Sequence, residues 1–301
     1  MGLIAKKMRL WFSLETSPFF YLLPVLLFMG LIVAYPIGRM FYLSLTQNIL
    51  TRPDLGVTFV GLDNYFTLFS SADFWRTIGR TVGWTTISVA GKSLIGFGIA
   101  WLLAKEVAFK RFYLFLLLIP WVMPMVVAAV AWRWVYDGQY GMLNWILMEA
   151  KLLTEPFAWL GHKGSAFFAT AFVDMWHGIP FMAMLFLAGL QAIPEQLLES
   201  AAIDGASSVQ RLRHVILPLM KPIIMVATTL STIWTFNSFG IIWPLTKGGP
   251  VDATETLIID AYKRSFGAFD LGMGAAVTMV IFLLFLFTTV YYRLLMKQEG
   301  F

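Results

Sequence analysis

Cysteine is absent from the 301 residues, which removes disulfides, thiolate metal sites and cysteine nucleophiles together. Charge is scarce as well: Asp, Glu, Lys and Arg make up 13% of the chain, against roughly 25% in an average soluble domain. The three histidines, His162, His177 and His214, stand far apart. None has a second histidine at the spacing that places two imidazoles on one helix face, so no metal site is expected. There is no H-E-x-x-H, no G-x-S-x-G and no carboxylate pair in a plausible pocket, so none of the catalytic constellations tied to such patterns is expected. Gly91-Lys92-Ser93 ends like a phosphate-binding loop, but that loop needs a glycine five residues before Gly91, and the position holds Thr86. Neither ATP hydrolysis nor a cofactor is expected of this chain.

What the chain has in abundance is apolar surface. Hydrophobic residues account for 59% and the mean hydropathy is +0.75. Apolar runs of about 20 residues, long enough to cross hydrocarbon, recur along it. They read as helices, because a spanning segment must satisfy its own backbone, and the strands of a barrel would alternate apolar with polar residues. The net charge of +5 raises nucleic acid as a partner, but the basic residues sit at the ends of apolar runs, where they signal membrane topology. No nucleic-acid partner is expected.

Taken in order, residues 1–17, with Lys6, Lys7 and Arg9, read as a cytoplasmic N-terminal segment. A first span follows over about 18–43, kept rather than cleaved, because a signal peptide would have a shorter core and a small-residue cleavage site. A turn-rich segment with Arg52, Pro53, Asp54 and G-L-D-N-Y at 61–65 suits the exterior. The second span, about 77–103, leads to the basic cluster Lys105, Lys110 and Arg111. The third, about 112–136, carries paired prolines in I-P-W-V-M-P and is expected to kink. Residues 137–164, with Trp145, Trp159, Glu149 and Glu155, read as an amphipathic helix in the outer interface. A fourth span covers about 165–190, a polar loop 191–219, a fifth span about 220–243, an exterior loop to Asp270, and a sixth span about 272–292, ahead of Arg293 and Lys297. The basic residues then gather on one side and most acids on the other, which puts both termini in the cytoplasm. The fold class is an all-α membrane protein with six transmembrane helices, residues 18–301 forming one transmembrane domain in the lipid bilayer.

Polar groups inside a span are costly and so are functional candidates. Asp174 lies about nine residues into the fourth span, roughly 13 Å deep. Trp176 and His177 follow it, Gly178 and Pro180 loosen the helix, and Trp234, Asn237 and Ser238 lie near the outer end of the fifth span. Carboxylate, amide and imidazole groups interleaved with aromatic rings suit a polyhydroxylated ligand, giving hydrogen bonds to hydroxyls and flat faces to C–H surfaces. The same groups also serve to tie helices together, and both roles stay open. Lys92, at mid-span in the second helix, is expected to pair with Asp174, since an unpaired charge there is unfavourable. Arg80 and Arg133 lie near span ends, where snorkelling suffices.

The loop at 191–219 is polar and helix-prone. Glu195 to Ala202 form a first helical run, Gly205 permits a turn that a side chain would resist, Ser207 and Ser208 can cap a second short helix, and Leu217-Pro218 is expected to close the unit before the fifth span. Such an element makes a poor connector and a good plug for a groove on another protein. It resembles the EAA loop of binding-protein-dependent ABC importer permeases, whose pattern is E-A-A, three residues, Gly, nine residues, Ile, one residue, Leu-Pro. The matching positions are Glu199, Ser200 and Ala201, then Gly205, Val215, Leu217 and Pro218, with serine and valine as mild departures. I-D-G-A at 203–206, containing Asp204 and Ala206, L-T-K-G-G-P at 245–250 and G-L-D-N-Y at 61–65 resemble the carbohydrate branch.

That resemblance, running from about residue 18 to the end, implies a type I ABC importer permease fold with a cytoplasmic coupling helix, in a bacterial or archaeal inner membrane. It implies four kinds of partner: a second permease subunit of similar fold, two ATP-binding cassette subunits that hold the ATP and Mg, an extracytoplasmic solute-binding protein, and a carbohydrate-like ligand. V-D-M-W-H-G-I-P-F at 173–181 and F-N-S-F at 236–239 are similar to the sugar-contacting spans of maltose-type permeases. Asp174, Phe181 and Asn237 match ligand-contacting places there, with Asp174 in place of an amide and Phe181 in place of a tyrosine. With Trp176, His177 and Trp234 they form the expected substrate-binding set. Two other readings are a permease of the same class for a phosphorylated or sulfonated solute, and an ion-coupled secondary transporter using Asp174.

Overall fold

The computed structural model describes residues 18–298, so the expected cytoplasmic segment 1–17 lies outside the described residues. Helices dominate. α1 (Pro18–Met29) passes through one π turn into α2 (Tyr35–Ser44), and together they form a 24-residue candidate span, Tyr21–Ser44, whose most apolar 18-residue stretch has no buried residue. Leu22, Leu26, Leu27, Phe28, Leu31 and Phe41 on them are exposed, as on a surface lying in lipid or against another subunit.

The turn-rich segment that follows holds structure its sequence did not announce. β1 (Thr46–Gln47) pairs antiparallel with β2 (Thr58–Phe59), and α3 (Asp63–Ser70) follows. Two-residue strands carry no readable periodicity, and this hairpin is held by tertiary bonds: Asn64 Nδ2 donates to the carbonyls of Ser44 and Thr46, both at 2.9 Å.

α4 (Ala72–Ala104) and α8 (Lys163–Gln191) pack along each other at the centre of the bundle. Their approach is close enough that a Cβ on Gly96 would sit 2.8 Å from Met182 Cβ; small residues permit such contact between membrane helices. Toward one end, Ala100, Leu103, Met182, Phe186, Ile216 and Met220 form an apolar core. Toward the other, Trp84 and Ala171 pack with Ile242 and Ile259.

The third expected span is broken rather than kinked. α5 (Lys110–Val122) and α6 (Met125–Val135) meet at 96°. Met123 is extended, with φ −68° and ψ 131°, as suits a residue before proline. Of residues 137–164, only α7 (Met142–Glu149) is helical before α8 begins at Lys163. Asn144 closes the rest into a loop, donating to the carbonyl of Phe157 and accepting from Trp159 Nε1 at 2.8 Å.

After α8 come α9 (Glu195–Ile203), α10 (Ser208–Arg211), a π turn at Leu212–Ile216, and α11 (Leu217–Phe236). Here one expectation is overturned: Leu217-Pro218 does not close the loop. One helical path runs through it from Ser208 to Phe236, with the π turn at Leu212–Ile216 just before Pro218 as the local adjustment in the ladder. The fifth span is interrupted instead at Asn237-Ser238, after which α12 (Phe239–Thr246) continues. α13 (Leu257–Tyr262) and a π turn at Lys263–Gly267 then occupy what the sequence marked only as an exterior loop, and α14 (Leu271–Gln298) ends the described chain. Among the described residues five helices are long and apolar enough to span a membrane, and the bent pair α5–α6 makes up to six.

Candidate functional site

The buried face of α4 reads Thr77, Thr81, Trp84, Ser88 and Lys92, a polar stripe at helical spacing inside a membrane bundle. Lys92 Nζ lies 2.6 Å from Asp174 Oδ2 on α8, and the two side chains are only 6% and 5% exposed. The same ammonium, which has three N–H donors, also donates to Thr235 Oγ1 at 2.7 Å. Ser238 Oγ donates to Asp174 Oδ1 at 2.7 Å, and Trp84 Nε1 donates to the Thr235 carbonyl at 3.0 Å. These partners converge where α11 gives way to α12, and backbone groups released at such a break need partners, since hydrocarbon offers none. Gly178, one turn beyond Asp174, leaves room for the lysine stem: a Cβ there would stand 2.7 Å from Lys92 Cε.

The remaining expected ligand residues separate into four neighbourhoods. His177 is buried, and its Nε2 sits 3.0 Å from the carbonyl of Met123. A carbonyl can only accept, so the proton belongs on Nε2, and the imidazole satisfies the oxygen freed where α5 breaks from α6. Trp176 packs edge-on against Trp132, with centroids 5.4 Å apart. Phe181 lies between Trp121, at 6.2 Å, and Trp234, at 4.7 Å. Those two indoles are each 44% exposed, so three helices present one open aromatic patch. Asn237 is exposed and borders a cavity of about 410 Å³ with Tyr262, Ser265 and Thr278 on its walls.

Of the groups at this centre, Trp84, Trp121 and Thr235 were not singled out from the sequence. The stripe on α4 carries a usable signal for Trp84, being two turns before Lys92 on one face; Thr235 and Trp121 have none until the helices are placed.

Arg80 and Arg133 do not line this centre. Arg80 Nε donates to the Glu255 carbonyl at 3.0 Å, tying α4 to the loop before α13, and Arg133 is exposed at the end of α6 beside Asp137 and Tyr140. In that same loop Lys263 contacts Glu255 and Asp252, the latter at 3.0 Å, and Arg264 contacts Asp260 at 2.7 Å. The hydrogen bond from Lys263 holds Asp252 below the ordinary aspartate range. Burial pushes Glu255 and Asp260 above theirs. For Lys263 burial alone would lower the pKa, but the two carboxylates outweigh it and raise it.

The expected coupling residues lie in an exposed helical hairpin. Gly205 has φ +77°, and nothing lies within 4 Å of the place a Cβ would take, so it serves the turn through its backbone and not through lack of bulk. The second helix starts on a capping box: Ser207 N–H donates to Gln210 Oε1 at 2.8 Å and Ser207 Oγ accepts from Gln210 N–H at 3.3 Å. Glu199, Ser200, Asp204, Leu217 and Pro218 are exposed, while Ala201 and Ala206 are partly covered. Ile203 and Val209, flanking the glycine turn, are 87% and 73% exposed. Two bulky aliphatic side chains thus stand uncovered at the tip of a polar hairpin.

A family model described as "Binding-protein-dependent transport system inner membrane component" matches residues 92–298. The trehalose/maltose transport system permease protein MalF of Thermococcus litoralis is 38% identical over 273 residues, covering 90% of this chain and 91% of that one. The sulfoquinovosyl glycerol transport system permease protein SmoG of Agrobacterium fabrum is 35% identical, covering 92% and 90%. Among solved structures, a chain of a bacterial ABC transporter involved in import of the acidic polysaccharide alginate superposes with a TM-score of 0.80, at 18% identity, over 96% of this chain and 99% of that one; that likeness establishes the fold.

Proposed function

The chain belongs to the family of binding-protein-dependent transport system inner membrane components, and from that premise we propose that it is the permease subunit of an ATP-driven importer for a sugar, oligosaccharide or sugar-like polyol, forming half of the translocation path. The permeases for trehalose/maltose and for sulfoquinovosyl glycerol that it resembles support a sugar-like cargo. Its partners are a second permease subunit, two ATPase subunits that carry the ATP and Mg, and an extracytoplasmic solute-binding protein. The 191–219 hairpin is cytoplasmic, with both termini on the same side, and docks into the ATPases through Ile203 and Val209. Closure of the paired ATPases on ATP moves the hairpin, and the continuous helix from Ser208 onward carries that motion to the break at Asn237, beside the aromatic patch.

The observation that carries the ligand reading is the open patch of Trp121, Phe181 and Trp234. Aromatic faces of this kind pack against the C–H surfaces of a sugar. Asp174 and His177 then position the path rather than touch the cargo, since each is committed to a partner inside the bundle. The cation inside the bundle, Lys92, is neutralised by Asp174, so this buried centre offers no net positive charge with which to select an anionic cargo. Replacing Trp234 by alanine is expected to raise the concentration of binding protein–sugar complex needed for half-maximal uptake in proteoliposomes by about tenfold, equivalent to one aromatic contact. Unchanged uptake in both Trp234→Ala and Phe181→Ala would remove the patch from the path.

A further inference from the structure

A cavity of about 390 Å³ lies between the end of α4 and the hairpin, lined by Trp101, Lys105, Leu198, Ser208, Arg211 and Ile216. Its chemistry divides in two. Leu198, Ile216 and Trp101 make an apolar floor, while Lys105, Arg211 and the Ser208 hydroxyl supply donors. Arg211 Nε is buried and has no hydrogen-bond partner. Its guanidinium makes one long contact, 3.4 Å from Nη2 to Ser208 Oγ. Among the described residues no carboxylate stands within ion-pair distance of Arg211 or Lys105. A guanidinium with a buried, unpaired N–H beside an ammonium is an arrangement that calls for an oxyanion, because an unmet buried donor is destabilising and an arginine fork matches the oxygens of a phosphate.

We propose that this cavity binds the phosphate of an anionic phospholipid. Soluble phosphate shares the chemistry, but the surroundings favour lipid. Trp101 stands in the last turn of a membrane-spanning helix, at the depth where indoles meet headgroups, and its neighbour Leu102 is 62% exposed on the outer surface. An apolar floor with cations at its rim accepts a headgroup together with the start of its acyl chains, and basic pockets between spans take anionic lipids in this way. The bound phosphate would splint the end of α4 to α9 and α10. The regulatory consequence, that anionic lipid sets how the hairpin meets the ATPases, rests on the cytoplasmic reading given above; lipid binding itself does not.

The test takes the assembled transporter in nanodiscs of phosphatidylcholine with and without phosphatidylglycerol, and reads retained lipid by native mass spectrometry after gentle removal of the disc. Wild type is expected to retain phosphatidylglycerol over phosphatidylcholine, and Lys105→Gln and Arg211→Gln each to lower that preference about fivefold. Three results would overturn the proposal: equal retention in wild type and the double variant; displacement of the lipid by inorganic phosphate at millimolar levels, which would assign the site to soluble anions; and loss of the ATPase subunits from the double variant with lipid retention intact, which would assign both cations to the protein interface. Because retention is read without transport, a chain that imported no sugar would still give the expected lipid result, so the two readings fail separately.

Discussion

A lysine and an aspartate facing each other across the bundle set the cost of every change around them. Removing one member of a buried pair leaves the other uncompensated, at about 3–5 kcal/mol, whereas removing both leaves a neutral, satisfiable site. Lys92→Met and Asp174→Asn are therefore each expected to lower the yield of monodisperse complex in size-exclusion chromatography, and the double variant to recover most of it. A double variant no better than the singles would show that the two residues do not act as a unit. This pairing was legible in the sequence, because a lone charge at mid-span demands a partner and the chain offers few. The role of His177 was not: an imidazole beside Asp174 suits a ligand equally well, and only the break at Met123, with its freed carbonyl, shows what the ring is bonded to. Trp234, the exposed member of the expected set along with Asn237, was legible through its aromatic character, while Trp121, on the other side of Phe181, needed the 96° bend to be brought near.

Elements rather than residues decide the two ends of the molecule. At the hairpin, Gly205 has a positive φ and open space around it, so a substitution strains the backbone without a clash. Asparagine tolerates that region and a β-branched side chain does not. Gly205→Asn should retain most sugar-stimulated ATPase activity of the assembled transporter and Gly205→Val lose most of it; equal loss in both would point to bulk. At the far end, the loop carrying α13 has opposed proton linkages. Glu255 and Asp260, raised by burial, bind protons more tightly when folded, so their contribution is present in acid and lost as pH rises through their folded pKa values. Asp252, lowered by Lys263, contributes above its unfolded pKa and loses that as pH falls through its folded one. The loop is then best protected in mild acid. Its amide exchange, corrected for intrinsic rate, is expected to quicken from mildly acidic to neutral pH, and Glu255→Gln to flatten the change; protection that grows toward neutral pH would contradict this. α13 was not legible in the sequence, because a six-residue helix among Gly, Pro and Thr lacks a periodic apolar face and is held by packing of Leu257 and Ile259. The long spans were legible from their apolar length, and their interruptions less so: Pro124 marks a real break, whereas Pro218 lies in the first turn of a continuing helix.

At the scale of the whole molecule, a helix-dominated chain with one largely exposed span, an exposed aliphatic hairpin tip and a neutral buried centre is built as part of an assembly. Exposed valines and tryptophans on α6, Val126, Val130 and Trp134 among them, continue that outward apolar surface. The hairpin's spacing made the family legible from the sequence, whereas the aromatic patch required three helices to be set in place. The lack of cysteine makes single-cysteine labelling of Ser200 in sealed vesicles a clean test of which side the hairpin occupies. The central claim is that sugar uptake through this chain is driven by ATP hydrolysed on subunits that grip the hairpin. Its most direct measurement is uptake of the binding protein's sugar into proteoliposomes containing this chain, its partner permease and the ATPases, with ATP supplied or withheld and ion gradients dissipated. The account predicts uptake that requires both ATP and the binding protein, and that Gly205→Val abolishes while the complex stays assembled; uptake that persists without ATPase subunits, driven by an ion gradient, would contradict it.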